Sequence, residues 1–176
     1  MKQQNNISLL SSAISALIAV ACAAMLAGCS TTKRIPEGEQ LYIGVKKIAI
    51  KAPEGEKVPE MVEAKLSEAV SVPPNNALFK SAKYRIPFPI GLWVYNNWDD
   101  PGKGFKHWLY DKLVSEPILV SDVRPDVRTH MVDELLDNNG FFRGSASYEI
   151  LTQKNPKKTK INYTINTGPV YTLDSI

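Results

Sequence analysis

Residues 121–167, SDVRPDVRTHMVDELLDNNGFFRGSASYEILTQKNPKKTKINYTINT, change their hydrophobic period once, and that change decides the fold. Val123, Val127, Met131, Leu135 and Leu136 recur at steps of three or four, which predicts an amphipathic helix with those residues on one face and charge on the other. Ser121 or Asp122 stands where an N-cap belongs, and Pro125 falls in the first turn, where a missing N–H costs no intrahelical bond. Asn138-Asn139-Gly140 is the stop, because a left-handed residue ends a helix and turns the chain. Beyond Phe141-Phe142 the period becomes two. Ala146, Tyr148 and Ile150 alternate with Ser145, Ser147 and Glu149, and Ile161, Tyr163 and Ile165 alternate with Asn162, Thr164 and Asn166. Lys154-Asn155-Pro156-Lys157-Lys158 reads as the hairpin turn between the two strands. One apolar helix face closing on one apolar sheet face is the two-layer α+β solution.

Upstream, Leu41 to Lys51 is a strand whose alternation slips at Lys46-Lys47: Ile43 and Val45 share one phase, Ile48 and Ile50 the other. A bulge explains the slip, as does a strand beginning near Val45. Pro53 to Lys57 is a turn. Pro59 opens a helix with Val62, Leu66, Ala69 and Val70 on one face, and Pro73-Pro74 stops it. From Asn75 to about residue 102 lies an aromatic, proline-broken insertion carrying Phe79, Tyr84, Phe88, Trp93, Tyr95 and Trp98. Ile90 to Asn97 fits a short surface helix within it. The reading adopted for the rings is that they cap the core; the alternative is an apolar patch facing a membrane or a partner. Lys103 to Ser115 is a further helix with Phe105, Trp108, Leu109 and Leu113 on one side.

The amino end is an address. Lys2 precedes an uncharged apolar run from Ile7 to Leu26, the pattern of a secretory signal, and Leu26-Ala27-Gly28-Cys29 closes it as a bacterial lipobox. The expectation is a signal peptide over 1–28, an acylated Cys29 and a polar tether over 29–38; an uncleaved membrane anchor is the alternative. Two or three acyl chains hold a protein to a bilayer where one gives marginal binding. Cys22 leaves with the signal, so no thiol remains for a disulfide or a nucleophile. Roughly 150 residues then remain, enough for one domain with its own core. Ser30 after the acylated residue, with no acidic run following, points to the outer membrane and its periplasmic side. The net charge of +3 is too mild to suggest a nucleic-acid partner.

Reactive chemistry is not in the pattern. His107 and His130 sit on helices without Cys or paired acids at ligand spacing, and read as solvated. Gly102-Lys103-Gly104 lacks the strand and the remaining glycines of a phosphate loop, and reads as a helix lead-in. Asp99-Asp100 and Asp133-Glu134 define no acid/base pair by adjacency. The expectation is a protein that is not an enzyme and takes no cofactor or metal. Lysines 154, 157, 158 and 160 are ordinary protection of an edge strand.

Val127 to Leu136, Asn138-Asn139-Gly140-Phe141-Phe142, the hairpin through Tyr148 and Ile161-Asn162-Tyr163-Thr164-Ile165, and Thr167-Gly168-Pro169-Val170-Tyr171-Thr172-Leu173 together resemble a POTRA (polypeptide-transport-associated) domain. With Ile86 to Asn96 and Lys103-Gly104-Phe105, the chain is similar to the amino-terminal region of lipidated TamA/BamA-type outer-membrane proteins of Bacteroidota. The resemblance implies strand-helix-helix-strand-strand over 39–169. Its sheet is three-stranded and mixed, with the third strand central, the first parallel to it, the second on the edge, and both helices on one face. It implies that 170–176 begin a second such domain in a chain that continues toward a β-barrel. It also implies a docking role, in which the edge strand at Ser145, Ser147, Glu149 and Leu151 pairs with unfolded outer-membrane proteins or a TamB-like periplasmic protein. A stand-alone outer-membrane lipoprotein acting as scaffold or adaptor is the other reading.

Overall fold

A computed structural model describes residues 31–80 and 84–171. The signal segment 1–28, Cys29 and residues 172–176 of the expected further strand lie outside the described residues. The order is β1 (Leu41–Lys51), α1 (Glu60–Val70), a 3₁₀ turn (Leu78–Lys80), α2 (Ile90–Asn97), α3 (Gly104–Leu113), α4 (Val120–Val123), α5 (Pro125–Asn138), β2 (Ser145–Thr152) and β3 (Lys158–Asn166). The sheet has three strands in the order β1-β3-β2, with β1 parallel and β2 antiparallel to β3. This is the α+β topology that the resemblance implies.

Alternation places the core. Thr159, Ile161, Tyr163 and Ile165 of β3 are buried while their neighbours are only half covered, so one sheet face carries the helices. Val62, Leu66 and Val70 of α1 and Val132 and Leu136 of α5 close over that face together with Val123 and Phe141. Each such aliphatic side chain, fully buried, stabilises the fold by about 1.5–3 kcal/mol. Burial pushes the Tyr42 phenol up to about 12 and raises that of Tyr163 as well; the Tyr42 hydroxyl donates to the Val72 carbonyl at 3.0 Å.

The phase slip in β1 is a pair of bulges. Tyr42, Val45, Ile48 and Ile50 stand opposite Thr159, Ile161, Tyr163 and Ile165, with register shifts on either side of Val45. Two extra residues thus return Val45, Ile48 and Ile50 to the helix face that Tyr42 occupies. Gly44 takes φ +109° in the first bulge, where a Cβ would collide with the Arg85 guanidinium. The strand begins at Leu41, which removes the alternative of a later start.

Two features of the long helix differ from expectation. The helix divides at Arg124, which takes a left-handed φ of 49° before Pro125, because the proline ring disfavours right-handed helix in the residue ahead of it. Asp122 accordingly caps the short α4, accepting the Leu119 N–H at 2.9 Å, and Arg124 stands at the N-cap of α5. The buried stripe is also rotated: Pro125, Thr129, Val132 and Leu136 point inward, while Met131 is exposed. Arg128 fixes this rotation by donating to the carbonyls of Val123 and Ala69, both at 2.8 Å, which ties α5 to the last turn of α1.

The helix stop works as a Schellman motif. Phe141 N–H reaches the Leu136 carbonyl at 2.9 Å and Gly140 N–H the Asp137 carbonyl at 3.1 Å, with Gly140 at φ 85°. Phe141 then packs beside Leu136 in the core, whereas Phe142 turns outward against Tyr171. Tyr171 N–H donates to the Gly140 carbonyl at 2.9 Å, so the chain leaving β3 is held against the stop.

The insertion forms its own small cluster, in which Leu92 of α2 meets Ile35 and Leu41. Asn75 clasps its base, donating to the Glu116 carbonyl at 2.5 Å and accepting the Ile118 N–H at 2.9 Å. The rings do not cap the core. Aliphatic Leu92 and Val94 are buried, while Phe79, Tyr84, Phe88 and Trp98 are exposed, because the proline-broken segment supplies no continuous helix to turn them inward. The expected tether is docked from Arg34 onward. Arg34 N–H donates to Oδ1 of the buried Asn96 at 2.8 Å, and its guanidinium reaches the Tyr95 and Trp98 carbonyls at the end of α2 and the Asp99 carboxylate. A cation at a helix C-terminus is favourably placed for the helix dipole. His107 is half-buried and paired with Asp100 at 2.6 Å. The Gly102 N–H, then His107, hold the Asp100 carboxyl below its usual range, and Asp100 in turn raises the His107 pKa.

Leu136→Ala is expected to destabilise the domain by about 2–5 kcal/mol through an unfilled core site. Gly140→Ala should cost at least about 1–2 kcal/mol, since a left-handed Cβ would also stand 2.9 Å from the Tyr171 carbonyl oxygen. Urea unfolding of both variants checks this.

Candidate partner-binding edge

A three-stranded sheet has two edges, and this one protects them unequally. At the start of β1 the outer edge is bridged by residues 118–120: Tyr42 N–H donates to the Ile118 carbonyl at 2.8 Å and Val120 N–H to the Gln40 carbonyl at 3.0 Å. The two bulges further break the β1 ladder, which removes a flat template for pairing. β2 carries neither device.

Which groups β2 presents follows from the hairpin register. Gln153 N–H bonds the Lys158 carbonyl at 2.9 Å, and the pairs Leu151↔Lys160, Glu149↔Asn162, Ser147↔Thr164 and Ser145↔Asn166 follow at the period of two. In an antiparallel ladder, residues of one parity exchange both backbone bonds with their partners and residues of the other parity point both groups away. Ser145, Ser147, Glu149 and Leu151 therefore direct their N–H and C=O groups into β3. Ala146, Tyr148, Ile150 and Thr152 face the open side. The Ala146 N–H confirms the parity, because it is met from outside the sheet by Asp133 Oδ1 of α5 at 2.7 Å.

The expected edge strand is thus the edge strand, with the opposite set of backbone groups on offer. Side chains of Ser147 and Glu149 lie on the face away from the helices, where Ser147 Oγ meets the Thr164 carbonyl at 3.4 Å and Glu149 accepts from Asn162 at 3.4 Å. Leu151 is half-buried, and its carbonyl also accepts the Gln153 side-chain amide at 2.8 Å. Sequence reasoning missed Tyr148 and Ile150, which it assigned to the core. They lie opposite Tyr163 and Ile161 on the helix face, yet remain 40% and 44% exposed, while their partners in β3 are buried. The open backbone from Tyr148 to Thr152 is consequently flanked by two half-open apolar side chains. Asp133 was recognised as an acid on the helix; its role as a stopper at the Ala146 end depends on the rotation of α5.

This geometry suits an extended chain laid antiparallel or parallel along β2: backbone bonds supply affinity, and side chains at alternate positions pack beside Tyr148 and Ile150. Among the described residues no group of three or more His, Cys, Asp or Glu is arranged to hold a metal ion, and no helix is long and apolar enough to cross a membrane. No protein family matches the chain, and neither a curated protein nor a solved structure matches it.

Asp133→Ala is expected to free the Ala146 N–H. Loss of a hydrogen bond to a charged group costs about 1.5–3 kcal/mol. Amide exchange at Ala146 should accelerate beyond the change in global stability, as measured by NMR.

Proposed function

We propose that the chain is a POTRA-like periplasmic docking module of an outer-membrane protein assembly or translocation factor, held to the outer membrane by acyl chains on Cys29. The observation that carries this reading is the open edge of β2 between Tyr148 and Thr152, in a sheet whose other edge is bridged and bulged. Clients are extended strands of unfolded outer-membrane proteins, or a strand of a TamB-like periplasmic protein. Backbone pairing recognises strands of many sequences, which suits a module that meets many clients. The half-exposed Tyr148 and Ile150 add a preference for alternating apolar residues, the pattern that a barrel strand carries on its lipid face. The lipobox and the absence of an acidic run after Cys29 support the periplasmic face of the outer membrane as the site of action.

The proline test separates edge from ladder. Ile150→Pro removes an N–H that points outward, and an edge strand tolerates proline there. Binding of a peptide with the alternating pattern of a barrel strand, followed by fluorescence anisotropy, should weaken on the order of tenfold, with the unfolding midpoint little changed. Glu149→Pro removes a bond to β3 and should lower stability instead. Undiminished binding by folded Ile150→Pro would exclude the edge from the mechanism.

A further inference from the structure

Helix α3 is an amphipathic helix whose apolar face is left largely open by the fold. It buries none of its residues, and Phe105 and Trp108 remain 74% and 53% exposed, stacked on each other at 5.5 Å. Trp98, Pro101, Phe105 and Leu109, with Asp99 and Lys106, line a cleft of about 520 Å³ beside them. Rings presented in this way normally mark a contact surface.

The chain itself says what covers them. Arg34 is bonded to the Trp98 carbonyl and to the Asp99 carboxylate, two residues on the rim of that cleft. Cys29 lies five residues before Arg34, and five residues of any conformation span at most about 18 Å. On the lipoprotein reading given above, on which this inference rests, the acyl chains therefore bring the bilayer surface within that distance of Arg34, at the rim of the cleft that α3 lines.

Charge selects the kind of surface. Lys103, Lys106 and Lys112 are matched by Asp100, Asp111 and Glu116, and Asp99 is paired with Arg34, which leaves the exposed Lys33 in excess and only a weak attraction for anionic lipid. Aromatic rings with a wet rim sit at the headgroup level of a bilayer whatever its charge, and lysine stems extend from such a face toward water. We infer that Phe105, Trp108 and the Trp98 cleft dock on the phospholipid interface beside the anchor. The domain then lies against the membrane with α3 as its second contact, instead of hanging free on the acylated residue.

The test uses the full chain, acylated at Cys29 in a bacterial host and reconstituted in phosphatidylcholine vesicles. Trp93→Phe with Trp98→Phe leaves Trp108 as its single tryptophan. Trp108 emission should shift to the blue and be quenched by lipids brominated near the headgroup, with little change between low and high salt. Phe105→Glu should abolish the quenching while the protein still floats with the vesicles and unfolds at an unchanged midpoint, since Phe105 is not part of the core. Flotation of an acylated chain with Trp108 unquenched, or quenching that survives Phe105→Glu, overturns the α3 contact and leaves the anchor standing. Shielding of Trp108 in lipid-free dimers, seen by sedimentation, overturns it in favour of a second copy. Failure to float, with no acyl mass on Cys29, overturns both readings.

Discussion

β3 hydrogen-bonds on both sides, and most of the molecule follows from that. Its odd-numbered residues from Thr159 to Ile165 are buried under α1 and α5, so the strand fixes which face is covered. Its two neighbours must then conform. β1 inserts two bulges to return Tyr42, Val45, Ile48 and Ile50 to the covered face, and β2 is held in register by the Gln153–Lys158 turn. A one-residue slip of that turn would move every side chain of β2 to the other face. It would also exchange the backbone groups offered at the edge.

The edge and the helix that guards it form one unit. α5 is rotated by the two carbonyl contacts of Arg128, and this rotation carries Asp133 to the Ala146 N–H. The Schellman stop at Gly140 sets where α5 ends and where β2 begins, with Phe141 locking the corner into the core. Closing one end of the edge with a carboxylate leaves a short open length. That limits indiscriminate pairing with copies of the same chain.

Much of this was legible in the residues. The period change at Asn138-Asn139-Gly140, the face of α1, the short helix from Ile90 to Asn97 and the bulge at the Lys46-Lys47 slip all follow from local pattern, and local pattern controlled them. What was not legible depends on tertiary geometry. Apolar spacing put Met131 on the inner face, but Arg128 reaching across to α1 turned the helix by about one residue. Alternation identified β2 but not which parity bonds to β3, because that parity is set inside the hairpin turn. Tyr148 and Ile150 look like core in a strand pattern; they are half open because the sheet ends beside them. Hydrophobicity alone placed the aromatic rings in the core. Their prolines keep them outside it, and Leu92 and Val94 take the buried positions instead.

The central claim is that β2 presents the backbone of Tyr148 and Ile150, and that this is where a partner strand adds. Residue-resolved amide exchange of the free and the peptide-bound protein tests it directly. In the free protein, Ser147, Glu149 and Leu151 should be protected while Tyr148 and Ile150 exchange rapidly; binding of a barrel-strand peptide should protect Tyr148 and Ile150. Protection of these two amides in the free protein, or unchanged rapid exchange when the peptide is bound, would contradict the account.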